Sequence, residues 1–154
     1  MPEYRELREE EISTGLFRHF IRRQEVGKCW RRENGEWKIK DAPFVDDWTP
    51  EDYKTLVRCL RRTCSSGGFV CAAFCEGELK GFVSVERGLF GGDNRYFDLS
   101  SLHVSQELRG HGIGTRLLQK ARAWAREQGA KKLYISAHSA VESQAFYRAM
   151  GCVE

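Results

Sequence analysis

Leu102-His-Val-Ser-Gln-Glu-Leu-Arg-Gly-His-Gly-Ile-Gly-Thr-Arg-Leu-Leu118 is the stretch on which the reading of this 154-residue chain turns. It runs from the end of a strand, through a glycine-rich loop, into the start of a helix. Glycines at 110, 112 and 114 let successive backbone N–H groups converge on one point, and a helix N-terminus adds partial positive charge. A phosphate or pyrophosphate fits such a cradle. A nucleotide P-loop would end in Gly-Lys-Ser/Thr, but Ile113-Gly114-Thr115 has no lysine. A G-x-G-x-x-G fingerprint starting at Gly110 would put its third glycine at Thr115, and no acid ends the next strand, Ile135-Ser-Ala-His138. ATP, GTP and NAD are therefore disfavoured.

Downstream, Leu117, Leu118, Ala121, Trp124 and Ala125 recur on one face, which predicts a helix over Thr115–Gln128 ended by Gly129. Lys131–Ala137 reads as a strand and Val141–Met150 as a short helix. Upstream, Phe69–Cys75, a turn at Glu76-Gly77, Leu79–Glu86 and, after Gly91-Gly92, Tyr96–Val104 read as an antiparallel meander. Before it, Thr49-Pro50-Glu51-Asp52 supplies an N-cap, a first-turn proline and two acids for a helix reaching about Thr63. Lys28–Glu33 and Glu36–Lys40 flank Asn34-Gly35, a type I′ turn dipeptide, and predict a hairpin. Ile12, Leu16, Phe17, Phe20 and Ile21 fall at helical spacing after a short extended start at Tyr4–Leu7, which predicts an amphipathic N-terminal helix. A meander followed by strand, helix, strand and helix is an α+β, or mixed α/β, sheet with one crossover.

Length and composition agree with one domain over 1–154. At 41% hydrophobic residues the chain can bury roughly 70% of its unfolded surface. The 25 Lys and Arg against 22 Asp and Glu give +3, with the charges interspersed rather than gathered in a basic stripe. No nucleic-acid partner is expected. The N-terminus has no signal-peptide run and no apolar stretch approaches membrane length, so a soluble, cytoplasmic protein without membrane attachment is expected. Six cysteines without a C-x-x-C pair, and four histidines without finger spacing, read as free thiols and no metal site.

Arg109-x-x-Gly112-x-Gly114, preceded by Leu102-His-Val104 and followed by Ser143-Gln-Ala-Phe-Tyr147-Arg-Ala-Met-Gly-Cys152, resembles the motif series of the GNAT N-acetyltransferase superfamily from about residue 69 to the end. The resemblance implies a mostly antiparallel twisted sheet whose β-α-β crossover carries the coenzyme A loop. It also implies acetyl-CoA as co-substrate, no metal, and transfer of an acetyl group to a primary amine by direct attack. Residues 69–154 would form the acetyl-CoA core and residues 1–68 the acceptor side.

By position in the motifs, Arg109, Gly110, His111, Gly112, Ile113, Gly114 and Thr115 would hold the pyrophosphate, with Arg109 or Arg116 adding charge. Backbone groups of His103 and Val104 would pair with the pantetheine arm, and the Val104 N–H would polarise the thioester carbonyl. Ser143 belongs to the last motif, and Ser139 would stand in for the asparagine that Ala140 replaces. Tyr147 matches the general acid, since a phenol near pKa roughly 10 can protonate a thiolate of intrinsic pKa roughly 8.5. Simple packing on its helix face is the other reading of Tyr147. The incoming ammonium must lose a proton; Asp98 ranks first as its base, Glu86 second and His138 third, each with a surface role as the alternative. A covalent Cys75 or Cys152 route has no histidine partner implied by position.

Asp46, Asp47 and Trp48, in Phe44-Val-Asp-Asp-Trp48, put two carboxylates between aromatics and would suit a cationic small-molecule or peptide amine. A plain hydrophobic anchor is the alternative there, with Trp30, Trp37 and Trp48 sealing the core. The family normally has two further strands after the Gly151-Cys152 position, and this chain ends at Glu154. The expectation is a truncated form or natural variant that lacks the C-terminal hairpin and covers the exposed edge as a homodimer. An acyl-CoA-binding or interaction module with weak or no turnover, suggested by Ala140 and the short C-terminus, stays open.

Overall fold

The computed structural model describes residues 2–33, 36–90, 96–130, 132–135 and 146–147. They fall into two compact units, one of Met1–Arg22 with Trp48–Ile135 and one of Arg23–Asp47 with Ser136–Glu154.

The first unit is a five-stranded sheet. Its strands are β1 (Glu3–Glu6), β4 (Phe69–Cys75), β5 (Glu78–Phe90), β6 (Tyr96–Val104) and β7 (Lys132–Ile135), in the order β1-β4-β5-β6-β7. All neighbours are antiparallel except β6 and β7, which run parallel and are joined by helix α2 (Ile113–Glu127). This is the predicted mixed sheet with one crossover, and the Tyr96–Val104 strand has the predicted ends. Cys75 pairs with Glu78 across a two-residue turn in which Glu76 and Gly77 both take positive φ, 53° and 80°, the type I′ geometry that matches strand twist.

Alternation along β5 sends Phe82 to one face and Val83 and Val85 to the other. On the first face Phe82 meets Phe17 at 5.4 Å and Phe20 at 5.5 Å, under helix α1 (Pro50–Ser65) with its buried Leu56 and Leu60. On the second face α2 buries Leu117, Leu118 and Ala121, and Trp124 stacks on Phe69 at 5.2 Å. Gly81 lets α2 lie close: a Cβ there would stand 2.9 Å from Ile113 Cγ2 and 3.1 Å from Leu117 Cδ1.

α1 begins as predicted. The Thr49 side chain accepts from the Asp52 N–H, and the Asp52 carboxylate accepts from the Thr49 N–H, a reciprocal capping box.

The predicted N-terminal helix is not formed. Residues 9–17 make two separate 3₁₀ turns, Glu9–Glu11 and Thr14–Phe17. Ser13, Thr14 and Gly15 interrupt the apolar spacing with poor helix formers, and Arg61 of α1 donates to the carbonyls of Glu9 and Ile12, both at 3.0 Å. Ile12, Phe17 and Phe20 are buried as the spacing required, but Ile21 is left 46% exposed.

The second unit contains the hairpin of β2 (Arg23–Glu33) and β3 (Glu36–Asp47). Glu33 pairs with Glu36, so residues 34 and 35, which lie outside the described residues, form the link. Its arms run from Arg23 and to Asp47, longer than the predicted 28–40. The register shifts between Val26 and Lys28, opposite Pro43, which has no N–H to give the ladder. The predicted helix over 141–150 is described only at Phe146 and Tyr147, which are helical with rings 5.2 Å apart. The predicted ends of the Lys131–Ala137 strand also lie outside the described residues.

Candidate functional site

The loop after β6 is pinned at its start by Ser105, which is fully buried. Its N–H donates to the Lys80 carbonyl at 2.8 Å, its hydroxyl donates to Glu107 at 2.6 Å, and its oxygen accepts from the Ile21 N–H at 2.9 Å. Lys80 is free to serve because the β4–β5 register skips it between the pairs Ala73–Gly81 and Phe74–Leu79. That bulge aims its ammonium at Glu107, 2.6 Å away, and at the His19 carbonyl, 2.7 Å away. Burial alone would push the lysine pKa down, but Glu107 and then Glu78 outweigh it and raise it. Burial likewise opposes the charge on Glu107, and the bonds from Lys80 and Ser105 reverse this and lower its pKa.

Past this anchor, Gly110 takes φ +82° and Gly112 φ +83°. Both are conformations that side chains rarely adopt, and a Cβ at either position would meet nothing within 4 Å. The space beside both Cα atoms is open. Gly112 is also the N-cap of α2 and provides no side-chain cap, whereas α1 caps itself with Thr49 and Asp52. The first-turn amides of Ile113, Gly114 and Thr115 are thus left to an outside acceptor, and an anion is the natural one. The helix starts two residues earlier than predicted because Gly112 makes the turn. Ile113 is 2% exposed and fixes this end of α2 to the sheet, while Arg109, His111 and Arg116 are exposed around the loop. Arg109 Nε donates to the Val104 carbonyl at 3.3 Å.

The face of the sheet opposite α2 carries the other candidates. His103 accepts at Nδ1 from Arg22 Nε, 3.2 Å away, and stands 4.8 Å from the Trp48 ring. Arg22, a residue that no sequence motif singled out, is 5% exposed and lies over Trp48 at 5.3 Å. Because Arg22 always donates, His103 carries its proton on Nε2 when neutral.

Further along the same strands, Glu86 and Asp98 are partners in register across β5 and β6, so their side chains share a face. Burial first, and the Glu86 charge second, raise the Asp98 pKa. Glu86 is held by Thr63 at 2.5 Å and Ser100 at 3.1 Å. β7 is in register with Tyr96–Leu99 only, so the segment Ser100–Val104 that leads to the loop has no neighbour on that side among the described residues.

The structure therefore brings Asp98 and Glu86 together, and places His103, Val104 and the loop residues 109–115 in sequence along one strand end and helix start. Asp47 is exposed at the end of β3 and belongs, with Asp46 and Tyr147, to the second unit, whereas Trp48 belongs to the first. His138, Ser139, Ala140, Ser143 and Cys152 lie outside the described residues. Cys59, Cys64, Cys71 and Cys75 are free thiols. Among the described residues no group of three or more His, Cys, Asp and Glu side chains could hold a metal ion, and no helix is long and apolar enough to cross a membrane.

Three comparisons bear on this arrangement. The model of the acetyltransferase (GNAT) family matches residues 23–152. No curated protein matches the sequence. Among solved structures, nourseothricin acetyltransferase is 21% identical and superposes with a TM-score of 0.73, covering 97% of this chain and 81% of that one. A protein assigned as a streptothricin acetyltransferase, from Bacillus anthracis strain Ames in complex with acetyl coenzyme A, is 17% identical with a TM-score of 0.74, over 97% and 82% of the two chains. AAC(6')-Iy, solved with the bisubstrate analog CoA-S-monomethyl-acetylneamine, is 14% identical with a TM-score of 0.65, over 100% and 92%. At these identities the likeness is one of fold.

Proposed function

The chain belongs to the acetyltransferase (GNAT) family, and on that premise we propose that it moves an acetyl group from acetyl-CoA to a primary amine of a small molecule or peptide by direct attack. The observation that carries this reading is the uncapped N-terminus of α2 beneath two glycines at positive φ, at the end of the strand that bears His103 and Val104. An anion the size of a pyrophosphate suits that end of the helix, and the exposed Arg109 and Arg116 beside it add charge.

Acetyl-CoA supplies the activated thioester. The chain's own work is then to orient it and to handle two protons. The Asp98 carboxylate takes the proton that an ammonium must lose before its nitrogen can attack, and burial and Glu86 both make it a better acceptor. The Tyr147 phenol gives a proton to the sulfur as the C–N bond forms and the C–S bond breaks; the new amide nitrogen sheds its second proton, which restores the phenol, and the proton on Asp98 passes to solvent. The paired carboxylates at Glu86 and Asp98 favour a cationic acceptor.

Thiol release over a panel of polyamines, aminoglycosides, amino acids and peptides tests the reading. Release of CoA with one class supports it; acetyl-CoA binding by calorimetry with no release from any amine would make the chain a CoA-binding module instead. In the same assay Tyr147→Phe lowers turnover about 10²-fold or more with acetyl-CoA affinity retained, and full turnover removes Tyr147 from its role.

A further inference from the structure

We propose that Thr63 of α1 is a positioning residue for proton removal: its hydroxyl, together with Ser100, fixes the Glu86 carboxylate in the place opposite Asp98. The inference rests on Asp98 being the base.

Thr63 lies near the end of α1, is 1% exposed, and has no packing need for an oxygen. A buried hydroxyl must find partners, and this one has two: the Cys59 carbonyl one turn back at 3.0 Å and Glu86 Oε1 at 2.5 Å. With one proton to give, the shorter bond to a charged acceptor takes it.

The backbone around Thr63 is closed onto it. Gly68 N–H donates to the Thr63 carbonyl at 2.8 Å, and a Cβ at Gly68 would stand 2.6 Å from both Thr63 Cγ2 and the Val85 carbonyl oxygen. The turn from α1 into β4 therefore holds Thr63 against the β5 segment that carries Glu86. Substituting Gly68 would disturb this lock, which explains a glycine that has no positive φ to require it.

The second anchor comes from a bulge. Ser84 pairs with Ser101 and Val85 with Leu99, so Ser100 is the extra residue of β6. Its hydroxyl turns to Ser84 at 2.7 Å and to the same Glu86 Oε1 at 3.1 Å. A consistent ordering has Ser84 donating to Ser100 and Ser100 donating to Glu86. One carboxylate oxygen thus has two donors from two different elements, which restricts the side chain far more than a surface glutamate.

Among the described residues, few groups face the pair. Thr63 faces it from α1, Ser84 from β5, Ser100 from β6, and Tyr134 of β7 is in register with Asp98. The neighbouring charges are Arg87, exposed at the next position of β5, and Lys132, which lies over the Tyr96 ring at 5.7 Å. The Glu86 anion is the one that acts on Asp98.

The test is the titration of the Asp98 carboxyl by carbon-13 NMR in the full chain, assigned by its loss in Asp98→Asn, alongside the acid limb of kcat/KM. Thr63→Val, and Thr63→Ala should the valine crowd Gly68, removes the hydroxyl and frees Glu86 to turn away. That reduces negative charge beside Asp98, so its midpoint moves to lower pH. Glu86→Gln moves it the same way by at least as much, and Thr63→Ser leaves it in place. A midpoint unchanged in a folded Thr63→Val or Thr63→Ala variant, or in Glu86→Gln, overturns the proposal. If the midpoints move as expected while the acid limb stays fixed in every variant, the link to Asp98 stands and Asp98 is not the base.

Discussion

Gly81→Ala tests whether the close approach of α2 to β5 sets the end of the helix proposed to bind phosphate. The added methyl would sit 2.9 Å from Ile113 Cγ2 and 3.1 Å from Leu117 Cδ1, both on fully packed side chains that cannot swing into solvent. Overpacking of this kind costs about 1–3 kcal/mol. The lost freedom of the unfolded glycine returns about 0.4–1 kcal/mol. The net loss is about 1–2 kcal/mol, which for a chain of this size lowers Tm by about 3–6 °C. A shift of α2 away from the sheet by a few tenths of an ångström relieves the clash, and Ile113 is its first residue, so the uncapped amides move with it. Calorimetry should then show CoA binding about tenfold weaker, or about 1.4 kcal/mol. Adding Ile113→Ala removes the clashing methyl group, and the two changes together should cost about 1 kcal/mol less than their sum. An unchanged Tm and CoA affinity in Gly81→Ala would refute the packing argument. A lower Tm with unchanged affinity would separate helix placement from phosphate binding.

Three further outcomes follow from the same geometry. Gly112→Val forces a β-branched residue to φ +83° at the cap of α2, and CoA binding should be lost in calorimetry while circular dichroism still shows a folded chain. Thr49→Ala removes half of the α1 capping box and should cost about 1 kcal/mol in denaturant unfolding, with CoA affinity unchanged because α1 does not carry the loop. Asp98→Asn tests the sign of the linkage: a carboxyl whose folded pKa is raised contributes stability in full below its unfolded pKa and loses it as pH rises through the folded one. The neutral isostere should therefore gain Tm over the parent at neutral pH, and the gain should disappear below the ordinary carboxylate range; a gain independent of pH would show that Asp98 is not desolvated.

What the sequence made legible was what is encoded within one element or one turn. The cap of α1 is written in Thr49 to Asp52, the turn in Glu76-Gly77, and the bend of the loop in Gly110 and Gly112, whose φ values no other residue adopts easily. At the N-terminus apolar spacing alone points to a helix. Ile12, Phe17 and Phe20 do reach the core, but the backbone bonds that a helix would have used are taken by Arg61, forty-nine residues from Ile12. Registers between strands are also silent in the sequence. Lys80 and Ser100 do their work because each is the unpaired residue of a bulge, and nothing in Leu79-Lys-Gly or Leu99-Ser-Ser marks which residue the partner strand will skip.

Arg22 and Thr63 show the same limit from the side of chemistry. Each is a polar residue in an apolar context, and a buried guanidinium or hydroxyl must be matched by a partner, so its presence could have signalled a polar contact. It could not have named His103 or Glu86 as that partner, because the separations are 81 and 23 residues and depend on which face of the sheet each element covers. The proposed acid–base pair is therefore assembled by tertiary packing, while the proposed anion-binding loop is local. That division predicts how they fail: substitutions in the loop should remove CoA affinity directly, whereas substitutions in the α1 and bulge contacts should change the pH dependence of proton transfer while CoA remains bound.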